Sequence, residues 1–220
     1  MSVTTSNYLE VIARLPAGAS LRIDGVSWDA YKQLLSELGE GYAVRIFYDQ
    51  GRMEIMAPAF PHENEKNIIN RLVQALSDEL DIDIESAGST TFKMEILEKG
   101  AEPDDCFYIQ NAAHVIGLDD DLDLEKDPPP DLVVEVERTN SSLSKFPIYA
   151  AMNVPEIWRV AKKRVRIHLR SNETYQEEPH SRAFPFLSSE VLSEYLNRGQ
   201  KEGSRLATRA FRSWVREHKQ

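Results

Sequence analysis

The sequence predicts a single mixed domain of the α/β or α+β class. Residues 62–80 carry apolar side chains at helical spacing, which indicates one long helix. Shorter apolar runs on either side of it are separated by turn residues, which is typical of strands. The last two predicted elements are helical again, so helices flank a mainly β segment.

Composition and charge describe an ordinary globular protein. Its 220 residues suit one domain, 1–220, with 41% hydrophobic and 28% charged residues. No apolar run approaches the roughly 18–20 residues of a membrane span, and the first residues do not resemble a signal peptide. The lone Cys106 excludes an intramolecular disulfide. We therefore expect a cytoplasmic protein that makes no membrane contact.

Turn residues divide the first half of the chain into elements. Asp49-Gln50-Gly51 stands between two strand-like runs and is a hairpin signal. Prolines at 58 and 61 then separate this hairpin from the long helix. The predicted elements are a short amphipathic segment within 1–19, a helix after the N-cap Ser27, strands at 42–48 and 52–56, and the helix 62–80.

The second half is mainly β, with one embedded helix and two terminal helices. An acidic excursion, 117–130, ends in three prolines that stop any preceding element, and a polar loop follows at 138–144. Strands are predicted at 82–85, 90–94, 106–109, 131–137, 156–160, 164–169 and 174–177, and helices at 145–152, 188–196 and 204–218.

The predicted strand 131–137 carries acids on one face. Side chains alternate along a strand, so Asp131, Glu135 and Glu137 share a face opposite the apolar Leu132, Val134 and Val136. Carboxylates on a buried strand are costly unless they are protonated, paired or bound to a cation. Glu135 and Glu137 lie about 6.6 Å apart by strand rise, whereas Asp131 is about 13 Å from Glu135, too far to share an ion with it.

A second acid, in Pro103-Asp104, precedes the predicted strand 106–109. If that strand pairs with 131–137, Asp104 comes beside Glu135, and two carboxylates form an oxygen site suited to Mg²⁺. The carbonyl of Val136 is a candidate third ligand. The alternative is structural: these acids cap loops or pair with Arg138, Lys145 or Arg159.

Lys145 begins the helix that follows the acidic strand. There it could orient a water and offset negative charge in phosphodiester hydrolysis, or simply face solvent. Glu63 follows His62 at the start of the long helix, where an acid also stabilises the helix dipole, so a catalytic part for either is the lesser alternative. The net charge of −10 argues against a general nucleic-acid coat but leaves room for a local basic patch.

Several spaced motifs together carry a resemblance to a known family. They are Glu102-Pro103-Asp104, 129–136, 141–150 and 154–158, with His62-Glu63 and 88–92 upstream. These motifs resemble the Uma-two family of bacterial restriction-endonuclease-like proteins, in the PD-(D/E)XK nuclease superfamily. The resemblance covers about residues 20–170, leaving a C-terminal helical extension of about 187–218. It implies a restriction-endonuclease-like core, with a mixed central β-sheet flanked by helices and a metal site at splayed strand ends.

The resemblance implies a metal-dependent DNA endonuclease. Asp104 and Glu135 would be the motif acids, holding Mg²⁺ or Mn²⁺ with the carbonyl of Val136. Glu137 occupies the position that is usually Lys in the superfamily, and the Lys role would pass to Lys145. Glu137 would then ligate a second ion or act as a base, in a lesser part, and cutting two strands implies a homodimer. The alternative is a catalytically inactive nuclease fold that serves as a nucleic-acid or protein interaction module.

Overall fold

The computed structural model describes residues 5–39, 42–119, 122–137 and 144–219. The loop predicted at 138–144 therefore lies almost wholly outside the described residues. The helices are α1 (Thr5–Arg14), α2 (Trp28–Leu38), α3 (Phe60–Leu80), α4 (Ala112–Val115), α5 (Phe146–Ala151), α6 (Ser189–Glu202) and α7 (Ser204–His218). The strands are β1 (Ser20–Asp24), β2 (Arg45–Asp49), β3 (Arg52–Met56), β4 (Glu85–Ser86), β5 (Phe92–Met94), β6 (Lys99–Ala101), β7 (Asp105–Tyr108), β8 (Leu132–Glu137), β9 (Glu156–Ala161), β10 (Arg164–Ser171) and β11 (Thr174–Glu178).

Within these residues the strands form two sheets. One sheet is antiparallel, in the order β1-β3-β2-β6-β5, and the other has the order β11-β10-β9-β8-β7-β4. The second sheet is mixed because β8 and β9 run parallel while its other pairs are antiparallel. A parallel pair needs a crossover, and α5 lies in the connection between β8 and β9. The predicted class, with a mixed sheet flanked by helices, is confirmed, and the antiparallel sheet is added to it.

Strand β8 lies at the centre of the second sheet and is buried on both faces. Leu132, Val134 and Val136 share an apolar cluster with side chains of α3, α6 and α7. Val133, on the other face, packs in a second cluster with α5 residues such as Ile148. The alternation predicted for this strand is therefore present, and it directs the acids of β8 away from the α3 side.

Strand β1 and helix α4 were not predicted from the sequence, and two further short stretches differ from the expectation. The strand predicted at 82–85 begins only at Glu85, because the amide of Ile82 still bonds back to Ser77 at the end of α3. Strand β6 was not predicted. Its central Gly100 lies against Tyr31, where a Cβ atom would come 2.1 Å from the hydroxyl, so close packing excludes the side chains that usually signal a strand.

No helix in the described part of the chain combines the length and the apolar character needed to cross a membrane.

Candidate active site

The site forms where β7 and β8 lie side by side. Asp105 pairs with Val134 in the antiparallel register, and continuing that register by one residue brings Asp104 opposite Glu135. Directly opposed residues have Cβ atoms about 4.5–5.5 Å apart. Asp104 and Glu135 are both almost fully buried. The pairing on which the sequence-based site depended is therefore present.

Asp104 has one satisfied oxygen and one without a partner. The amide of Val136 donates to its Oδ2 at 2.7 Å, and Nε2 of His62 lies 3.1 Å from the same atom. Its Oδ1 is buried and accepts no hydrogen bond from the described residues. Burial alone would raise the pKa of Asp104, but His62 and Lys145 outweigh it and hold that pKa below its usual value. Asp104 is therefore ionised at neutral pH.

Glu135 is held by the helix that follows its strand. Nζ of Lys145 donates to Oε2 at 2.5 Å, and the hydroxyl of Tyr149 donates to Oε1. Burial is the main cause that raises the pKa of Glu135 to about 7, with the charge of Asp104 acting in the same direction and Lys145 opposing it. Glu135 thus changes its protonation state close to neutral pH.

Lys145 is buried and faces the two acids. It is the N-cap residue of α5, and its ammonium group also lies 3.8 Å above the ring of Phe47. Burial alone would lower the pKa of Lys145, but Glu135 and Asp104 outweigh it and raise that pKa. The lysine is therefore positively charged where it meets the carboxylates.

The carbonyl of Val136 points toward the end of β7. The N–H and C=O of a strand residue point to the same neighbour, and the N–H of Val136 reaches Asp104. The register would bring Pro103 opposite Val136, and proline has no N–H to donate to that carbonyl. The oxygen predicted as a third ligand therefore gets no hydrogen bond from Pro103.

The two remaining predicted residues lie at the edge of this group. Glu137 accepts a bond of 2.5 Å from Arg159 of β9, which is one of the pairings that the structural alternative named. Glu63 lies on the first turn of α3, with Oε1 3.5 Å from Nδ1 of His62 and Oε2 3.4 Å from Lys66. Glu63 thus reaches Asp104 only through His62.

Sequence reasoning gave too little weight to two residues. His62, rather than its neighbour Glu63, is the buried residue of α3 that contacts Asp104. Tyr149 was not proposed at all, although it stands four residues after Lys145 and thus on the same face of α5. That spacing was the available signal.

A cleft of about 140 Å³ opens beside the site. His62, Lys145 and Glu137 line it, together with Glu54 from the antiparallel sheet. Asp104 and Glu135 do not line the cleft themselves, but Lys145 and His62 contact both the cleft and these two acids.

The donors present fit a hard cation in part. No three His, Cys, Asp or Glu side chains in the described segments converge on one point. Two carboxylates and a backbone carbonyl can nevertheless hold Mg²⁺, which keeps several waters among its ligands. No described residue donates to Oδ1 of Asp104, which suits this use, whereas both oxygens of Glu135 accept hydrogen bonds.

The α+β fold, with a mixed sheet flanked by helices, places the chain in the class of nuclease-like folds. The chain belongs to the Uma-two (Uma2) family, described as "Putative restriction endonuclease", which matches residues 28–198. It is also similar to a crystal structure from Anabaena variabilis, described as "a putative nuclease belonging to DUF820", at 14% identity and a TM-score of 0.51. That similarity covers 78% of this chain and 99% of the other. No curated protein matches.

Proposed function

We propose that the protein is an endonuclease that hydrolyses DNA phosphodiester bonds with the help of a divalent metal, Mg²⁺ or Mn²⁺. The observation that carries the proposal is Oδ1 of Asp104, a buried oxygen of an ionised carboxylate to which none of the described residues donates a hydrogen bond. An unsatisfied buried polar group costs about 1–3 kcal/mol, and more when it is charged. A cation beside Glu135 would remove that cost.

The proposed ligands are Asp104, Glu135 and the carbonyl of Val136. A divalent metal bound there would lower the pKa of a water and offset negative charge on the phosphate. Glu135 would have to be deprotonated, and its pKa of about 7 allows this at neutral and higher pH.

Lys145 supplies the positive charge in this proposal. Its ammonium is held between Glu135 and the ring of Phe47, so its position is set before substrate arrives. A fixed cation of this kind stabilises negative charge that develops on a phosphate and orients the attacking water. His62, with Glu63 behind it, keeps Asp104 in place.

Glu137 receives a lesser part. Its carboxylate is already paired with Arg159, so it would have to leave that partner to ligate a second ion or to act as a base. We retain it as a candidate for these roles only.

We extend the proposal to the domain structure, the oligomeric state and the location of the protein. The two C-terminal helices share the cluster of β8 and α3, through side chains such as Leu196 and Phe211, as in a single domain. Cleaving both strands of DNA requires two sites, so we propose a homodimer. A cytoplasmic location suits the single free cysteine, Cys106, which is buried.

One observation favours an alternative, an inactive nuclease fold that binds nucleic acid or protein. Both oxygens of Glu135 and one of Glu137 are satisfied by side chains of this chain. Hydrogen bonds and ion pairs within the chain can stabilise such a site without a metal. The fold would then bind nucleic acid or protein without cleaving a substrate.

Incubation with supercoiled plasmid and Mn²⁺ separates the two functions. The endonuclease should nick or linearise the plasmid, and Asp104→Ala should lower the rate by at least about 100-fold because the metal loses a ligand. Chelation with EDTA should stop the reaction. A folded wild-type protein that leaves the plasmid intact would favour the inactive fold, and cleavage that persists in Asp104→Ala would come from a contaminant.

A further inference from the structure

Positive charge is concentrated at the C-terminal end of this acidic chain. Residues 198–219 contain seven Lys or Arg and two Glu, for a net charge of +5. The whole chain carries −10, so the other 198 residues carry −15. The seven cations are Arg198, Lys201, Arg205, Arg209, Arg212, Arg216 and Lys219.

Four arginines form a stripe along α7. Arg205, Arg209, Arg212 and Arg216 follow one another at spacings of four, three and four residues, which keeps them on one face of a helix. We call these four residues the arginine stripe. The apolar residues of α7, Ala207, Phe211 and Val215, are buried and occupy a separate face.

The two ends of the arginine stripe have different surroundings. Arg212 pairs with Asp78 and Glu79 at the end of α3, and Arg216 lies 2.9 Å from Glu79. Arg205 and Arg209 are exposed and make no ion pair with any described residue. The second half of the stripe thus fastens α7 to the core, and the first half carries positive charge that is not neutralised.

We propose that the arginine stripe binds the phosphate backbone of duplex DNA, with Arg205 and Arg209 as the main contacts. The rise between them is about 6 Å, which spans about two phosphates at 3.4 Å per step along one strand. An anionic membrane is a poorer partner, because a helix that binds a membrane surface inserts an apolar face, and that of α7 is buried in the core.

The inference goes beyond the proposed cleavage. It gives an acidic chain a separate surface for attracting DNA, and α7 lies outside the residues that match the family, 28–198. DNA binding can be measured in EDTA, where no metal-dependent cleavage takes place. Failure of the binding surface and failure of the nuclease function can therefore be told apart.

Fluorescence anisotropy with a labelled 30-base-pair duplex in EDTA tests the proposal on the full-length chain. Arg205→Ala/Arg209→Ala should weaken binding at least tenfold. It should also reduce the slope of log Kd against log salt by about 1.8, since each phosphate contact contributes about 0.9. Arg205→Lys/Arg209→Lys should bind nearly as well as wild type, because the contact is electrostatic. Equal melting temperatures would show that all variants fold.

Arg164→Ala/Arg166→Ala is the matched control. It removes the same charge from the β10 hairpin, whose basic residues form a second candidate surface for DNA. This variant should bind the duplex with an affinity within about threefold of wild type. The proposal is overturned if the stripe variant binds DNA like wild type. It is equally overturned if wild type binds phosphatidylserine vesicles but no duplex at 50 mM salt.

Discussion

Two Pro-Asp pairs in this chain have similar sequences but different surroundings. Asp131, after Pro130, accepts bonds from the amides of Ile109 and Asn111 and from the Asn111 side chain, at 2.7–2.9 Å. Asp104, after Pro103, is buried to a similar degree, but its Oδ1 has no donor among the described residues. Asp131 joins two loops at the start of β8, and Asp104 is the acid with spare binding capacity.

The difference shows that burial alone does not identify a functional acid. Both aspartates are removed from water, and a fully hydrogen-bonded carboxylate is stable there without a ligand. What sets Asp104 apart is an oxygen that has no partner among the described residues, next to a second acid and a lysine. We therefore assign a chemical role to Asp104 and a structural role to Asp131, and four variants test the surroundings of these two acids.

The largest effect is expected from Lys145→Met. Without the ammonium, negative charge on the phosphate is not offset, and plasmid cleavage should fall by at least about 100-fold. The fold should survive because Glu135, with its pKa already raised by burial, can stay protonated. Lys99→Met is the matched control, since Lys99 also pairs with a buried acid, Asp49, but lies outside the cleft. Equal losses of cleavage per folded molecule in both variants would contradict a special role for Lys145.

Asp131→Ala should destabilise the fold but spare the site. It leaves two partly buried amides and one side-chain donor without an acceptor, which should lower the free energy of unfolding by about 3 kcal/mol. Urea unfolding measures this loss, and cleavage per folded molecule should stay unchanged. A loss of cleavage in a folded Asp131→Ala protein would contradict the purely structural role assigned to Asp131.

The acid beside Asp104 should make stability depend on pH. Burial raises the pKa of Glu135 from 4.5 to about 7, so between these values the folded chain holds a proton that the unfolded chain has lost. Its contribution to stability is complete below about pH 4.5 and is lost as pH rises through about 7. In metal-free urea titrations, the stability of wild type relative to Glu135→Gln should therefore decline across this range. A difference that does not change with pH would contradict the assignment.

The smallest effect is expected from Glu137→Gln. The carboxylate and Arg159 are both partly exposed, and such pairs contribute about 1 kcal/mol or less. Cleavage should fall less than about threefold, which corresponds to about 0.7 kcal/mol in the activation free energy. A much larger fall, at unchanged stability, would move Glu137 into the centre of the mechanism.

Much of the fold could be predicted because it follows from local sequence patterns. Gln50 and Gly51 have the positive φ angles that a two-residue hairpin turn requires. The helices α3 and α7 lie where the apolar periodicity predicts them. The separate antiparallel sheet and strand β6 were not predicted, because long-range packing creates them. In β6, the side chain of Tyr31 leaves no room for a Cβ atom at Gly100. In a sequence, a glycine usually indicates a turn rather than a strand.

Only the part of the candidate site that follows from strand spacing and from the spaced motifs could be predicted from the sequence. Alternation and the second Pro-Asp pair led to Asp104 beside Glu135, with Lys145 nearby. The contact of His62 depends on how α3 docks against the sheet, which local sequence does not encode. The spacing of four residues between Lys145 and Tyr149 was a local signal, but it does not show which acid Tyr149 contacts. The roles of His62 and Tyr149 and those of the three predicted residues stay predictions until activity is measured.

Isothermal titration of Mn²⁺ into wild type, Asp104→Asn and Asp131→Asn tests the central claim most directly. Wild type and Asp131→Asn should bind the ion with similar affinity, because Asp131 has no part in the site. Asp104→Asn should bind it at least tenfold more weakly, since it replaces a charged ligand by a neutral one. Equal Mn²⁺ affinity in wild type and a folded Asp104→Asn protein would contradict the account.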